Sequence, residues 1–138
     1  MLKMRDGATL DPGERVEVYY NIQKGGFSIV ALDKRNPMKG KVVAYASNVQ
    51  VEDAKFCINP NKLAKIKANN RKTVYAVVRG HFVSAEPMDD AAHGYRKGYC
   101  NPFKTGKFID WENGTELHEA RGVYFYDKYF SYQEAINA

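Results

Sequence analysis

The sequence predicts an α+β domain that is mostly β: a curved antiparallel sheet or small barrel with one main helix near residues 60–69. Three observations carry this expectation. Seven or eight short segments have the Val, Tyr and Phe content of strands, and some alternate as strands do. Turn residues, not helix-length connections, separate them. Only one segment combines a start signal, an apolar stripe and an exit suited to a helix. At 138 residues the chain is expected to form a single domain, residues 1–138. Its core would lie at about 15–85, followed by a long loop at 86–106 and a C-terminal hairpin and strand at 107–138.

Each element has its own warrant. Residues 1–14 read as a polar lead-in containing Asp11-Pro12-Gly13, where Pro fixes φ and Gly accepts positive φ. Arg15-Val16-Glu17-Val18 alternates charged and apolar residues, the strand period. Gln23-Lys24-Gly25-Gly26 is a hairpin signal that returns the chain as a second strand from Phe27 to Leu32. After a turn at 35–40, residues 41–47 make a third strand. Residues 49–51 and 54–58 read as short strands parted by Glu52-Asp53.

The helix comes next. Asn59 can cap it, and Pro60 fits the first helical position, where its missing N–H costs nothing. Leu63, Ile66 and Ala64 share one face while Lys62, Lys65 and Lys67 fan toward solvent, and Asn69-Asn70 supplies an exit. Residues 73–83 form the strongest strand, a central one with a bulge expected at Gly80. Residues 86–106 lack clear periodicity and read as a long loop. A hairpin spans Phe108 to His118 around Asn113-Gly114, residues 123–130 make a last aromatic strand, and Gln133-Glu134-Ala135-Ile136 suits a short terminal helix.

Catalytic constellations are weak throughout. His81, His93, His118, Cys57 and Cys100 show no close metal-ligand spacing, so no metal and no cofactor is expected. The serines lack a nucleophile elbow. Nothing in the spacing brings Cys100 to a histidine. The Asp and Glu residues of 86–119 lie in loops and a hairpin, where solvated carboxylates are routine. The segments Arg96-Lys97-Gly98-Tyr99 and Lys104-Thr105-Gly106-Lys107 could nest an anion, but they read more simply as turns. No catalytic residue is assigned and the protein is not expected to be an enzyme. Cys57 is expected to be buried and Cys100 exposed; two cysteines are too few for a disulfide framework. No stretch approaches the ~18 apolar residues of a membrane span, so no membrane partner is expected and the expected location is a cytoplasm.

Charge is the remaining signal. From Ala54 to Ala85 the chain carries seven basic side chains and no carboxylate, whereas residues 1–53 sum to +1 and residues 86–138 to −3. A one-signed local field favours anionic partners. Lys62, Lys65, Lys67, Arg71, Lys72 and Arg79 are therefore the candidate anion-binding residues, with Tyr75, Tyr95, Tyr99 and Phe103 as candidate rings for base stacking. No finger, homeodomain or RNP pattern supports direct base reading.

Three phrases carry a resemblance. They are Val18-Tyr19-Tyr20-Asn21 with Lys24-Gly25-Gly26-Phe27-Ser28-Ile29, then Gly40-Lys41-Val42-Val43-Ala44 with residues 51–58 behind it, then Asn70-Arg71-Lys72-Thr73-Val74-Tyr75-Ala76-Val77-Val78-Arg79-Gly80. Together they resemble a family of small bacteriophage and prophage proteins over roughly residues 15–85. The resemblance implies a phage origin, hence a host bacterial cytoplasm, and no catalytic residue.

The expectation is then a phage accessory binding protein. It would block or sequester an anionic target, nucleic acid or a nucleic-acid-processing host defence complex, in the manner of anti-CRISPR inhibitors. Alternatives are an oligomeric sponge for a nucleotide signal of host defence, a virion or assembly part, and a small enzyme using His81 or His118 as base.

Overall fold

A computed structural model describes residues 2–68, 75–86, 95–127 and 130–135. In chain order the strands are β1 (Lys3–Met4), β2 (Arg15–Asn21), β3 (Gly26–Ala31), β4 (Val42–Ala46), β5 (Asn48–Ile58), β6 (Ala76–Ser84), β7 (Tyr95–Tyr99), β8 (Glu119–Tyr126) and β9 (Ser131–Ala135). The helices are α1 (Pro60–Ala68), between β5 and β6, and α2 (Pro102–Thr105), after β7. All nine strands join one antiparallel sheet in the order β1-β4-β3-β2-β6-β5-β8-β9-β7. No helix among the described residues is long and apolar enough to cross a membrane.

The sheet is strongly curved, as predicted, and open rather than a closed barrel. Alternation sets one face inward: Val16, Val18 and Tyr20 of β2 stand opposite Ala31, Ile29 and Phe27 of β3, and all six are buried. Phe27 of β3 and Phe125 of β8 are separated by three intervening strands, about 19 Å across a flat sheet. Their ring centroids are 6.0 Å apart, so the sheet rolls around its own core. Phe56, Phe108 and Phe130 complete this aromatic cluster at centroid distances of 5.1 to 6.2 Å.

Bulges supply part of the curvature. The two short strands expected around Glu52-Asp53 are one strand, β5, whose register against β6 shifts between Glu52 and Lys55. Asp53 sits there at φ 50°. The irregularity expected at Gly80 thus lies on the neighbouring strand. A Cβ at Gly80 would strike the Val51 side chain and come within 2.6 Å of the Glu52 carbonyl oxygen, so only glycine lets the bulged strand approach.

The helix forms as its sequence dictates. The Lys62 N–H donates to Asn59 Oδ1 at 3.1 Å, and Leu63 and Ile66 pack against the core.

The C-terminal third departs from expectation. The supposed loop at 86–106 contains β7 and α2, and the supposed terminal helix is β9, paired with both β7 and β8. The final aromatic strand stops at Tyr126, after which Asp127 and Phe130 turn the chain at φ 59° and 60° and the Phe130 ring enters the core. The Phe108–His118 hairpin is slight: one bridge joins Ile109 to Glu116. Within the lead-in, Lys3 and Met4 pair with β4.

Candidate functional site

The outer face of the sheet centre aligns four charges in register: Glu17 on β2, Arg79 on β6, Lys55 on β5 and Glu119 on β8. The two cations are adjacent at the middle and a carboxylate flanks each. Arg79 Nε meets Glu17 Oε1 at 3.0 Å with the arginine side chain 57% exposed. Such exposed pairs contribute about 0–1 kcal/mol, so Arg79 keeps most of its capacity for another anion.

Beside this row opens a groove of about 330 Å³. Its lining includes Lys62 and Arg79 together with Glu17, Cys57, Asn59 and Tyr75. The β5–α1–β6 connection causes the meeting. α1 begins where β5 ends, so Lys62 in its first turn lies over the strand that carries Arg79. No acidic residue occupies that first turn to offset the helix's partial positive charge.

The other candidates distribute unevenly. Lys65 is exposed on α1. Lys67 belongs to α1, but its side chain, like that of Tyr95, lies outside what is described; Arg71 and Lys72 lie outside the described residues. His93 does as well.

Tyr75 is a correction. Its ring is buried, its hydroxyl donates to the Pro102 carbonyl at 2.5 Å, and burial pushes the phenol up to about 12. It joins the sheet to α2 and offers no open face to a base. Phe103 packs on it edge-on at 5.2 Å and is itself partly buried against the core. Tyr99, half-buried, lies 5.8 Å from the ring of Trp111.

The cysteine expectations reverse. Cys57 is half-exposed in the groove wall, while Cys100 is fully buried. Burial first, and the nearby Asp110 charge second, push the Cys100 thiol up to about 12. A thiol held protonated makes no thiolate nucleophile at neutral pH. His81 and His118 lie at the surface, 3.7 Å from Asp53 and 4.0 Å from Glu116 respectively.

Trp111 is the residue that sequence reasoning missed. It is 46% exposed, with Lys104 Nζ 4.9 Å from its ring centroid. Its turn is built on Asp110, whose buried carboxylate accepts hydrogen bonds from Glu112 N (2.9 Å), Asn113 N (3.4 Å), Asn113 Nδ2 (3.3 Å) and Tyr132 Oη (2.9 Å). Burial works to raise the Asp110 carboxyl, but these donors outweigh it and hold the group below its ordinary value. The signal in the sequence was a lone Trp beside the best turn dipeptide.

A family model described as the Mycobacterium phage L5 gene 82 protein matches residues 9–133. The chain belongs to this family. The gene 82 protein of Mycobacterium phage L5 is 29% identical to it over 119 residues, spanning 82% of this chain and 90% of that one. No solved structure matches. The phage resemblance seen at residues 15–85, which include the groove, therefore holds, and the family match extends it through α2 and the Trp111 turn.

Proposed function

We propose that this gene 82 family protein is a phage accessory binding protein that sequesters or blocks an anionic target, with nucleic acid the first candidate. One observation carries the reading: Lys62 and Arg79 line a single groove at the start of α1, with Lys55 adjacent to Arg79 in the sheet register. Phosphate contacts supply sequence-independent affinity, and few cations at a concave site suffice for weak capture. Glu17 and Glu119 moderate that affinity by closing the charge row on both sides.

Cys57 gives a reporter within the groove. A bound oligonucleotide is expected to slow alkylation of Cys57, and Lys62→Glu combined with Arg79→Gln is expected to remove that protection. Cys100 is buried and contributes little background. Oligonucleotide binding that leaves Cys57 alkylation unchanged and survives both substitutions would place recognition elsewhere and refute the reading.

A further inference from the structure

We propose that the turn carrying Trp111 is a stacking site for an unpaired base, so that the nucleic acid this protein takes is single-stranded. The inference rests on the nucleic-acid reading above and deepens it. Three observations support it.

The first is exposure with rigidity. Trp111 is the most exposed of the large apolar side chains described, yet its backbone is fixed. Its N–H donates to the Tyr99 carbonyl at 3.0 Å, and the next two residues donate to the buried Asp110 carboxylate. A ring held this way costs little entropy to order on binding.

The second is composition. Tyr99 flanks the indole, and the Lys104 ammonium lies over it. An exposed ring with an adjacent cation supplies the elements of a single-strand platform: the base takes the ring face and the ammonium moves to the phosphate. The carboxylates of the same hairpin, Glu112 and Glu116, are exposed and disfavour phosphates on their side. The strand is thereby directed toward α2.

The third is continuity. Leu63 of α1 reaches the end of α2, its Cδ2 3.4 Å from the position a Cβ would take at the capping Gly106, and Tyr75 of the groove touches Phe103 of α2. The helix that carries Lys62 is thus linked through Leu63 and Tyr75 to the one that carries Lys104, and the proposed strand runs between these two cations. A duplex offers no free base face to the indole.

Trp111 is the single tryptophan of the chain, so its fluorescence reports this site alone. The probe is an oligothymidylate of roughly 12 nucleotides, compared with a blunt duplex of similar length. Quenching by the single strand and little by the duplex is expected. Trp111→Ala is expected to weaken single-strand binding about tenfold and leave duplex binding unchanged, while Trp111→Phe retains most of the affinity. Single-strand binding without quenching, unaffected by Trp111→Ala but weakened by Lys62→Glu with Arg79→Gln, would overturn stacking and leave the groove reading intact. Absence of binding to either probe would overturn both.

Discussion

Two of the regions that present cations to solvent, the groove and the Trp111 turn, are built in opposite ways. In the groove beside α1, the cations are long side chains, Lys62 on the helix and Arg79 on the outer face of the sheet, and one exposed ion pair restrains Arg79. At the Trp111 turn, the exposed ring sits on a backbone fixed by a buried carboxylate and its four donors. The groove's cations can be edited at little cost to folding, because they contribute charge rather than packing. The turn cannot be undermined from below without unsettling the sheet edge. Tyr132, which donates to Asp110, also covers Gly98 of β7 so closely that a Cβ there would meet its ring at 2.5 Å.

The comparison predicts a hierarchy. Asp110→Asn should be the most damaging change: two carboxylate acceptors become one oxygen and one donor beneath Tyr132 and Asn113. A loss of about 3 kcal/mol is expected in urea unfolding at neutral pH. The pH dependence has a fixed sign. The folded-state pKa of Asp110 is depressed, so its stabilising contribution is present above the unfolded value of about 3.9 and disappears as pH falls through the folded value. Asp110→Asn should therefore lose less stability than wild type on acidification through that window.

Tyr75→Phe should come next. It removes the hydrogen bond to Pro102 while keeping the ring contact with Phe103, and a loss of about 1 kcal/mol is expected in thermal or urea unfolding. Glu17→Gln should change stability least, by under about 1 kcal/mol, because the pair it breaks is exposed. Its effect should appear in binding instead: freeing Arg79 from its carboxylate should raise oligonucleotide affinity roughly fivefold. A large stability loss from Glu17→Gln, or none from Asp110→Asn, would invert the contrast between the two regions.

The same contrast explains what could be read in the sequence. Local chemistry was legible: Asn59-Pro60 starts α1 and Lys24-Gly25 turns β2 into β3, whereas the bulge expected at Gly80 falls across from it at Glu52-Asp53, which had read as a strand break. Of the six cations expected to share a face, Lys62 and Arg79 line one groove because one short helical connection brings them together. Glu17 was invisible as a partner because it stands 62 positions from Arg79 in the chain. β7 and β9 were missed for a related reason. They close one end of the sheet, with β7 at its edge, and the hydrogen bonds that make Tyr95–Tyr99 extended come from residues 131–135. Gln133, polar by type, is buried and breaks the apolar pattern that would have marked β9. Tyr75 looked like a surface ring because the sequence does not show that α2 covers it.

The central claim is that the cations beside α1 grip phosphates. Its most direct test is the affinity for an oligonucleotide measured as salt rises from about 50 to about 200 mM, in wild type and in the Lys62→Glu, Arg79→Gln variant. Two or more phosphate contacts on a single strand predict that wild-type affinity falls at least about sevenfold over that range and that the variant binds weakly with a flattened salt slope. A salt-independent affinity, or a variant indistinguishable from wild type, would contradict the account.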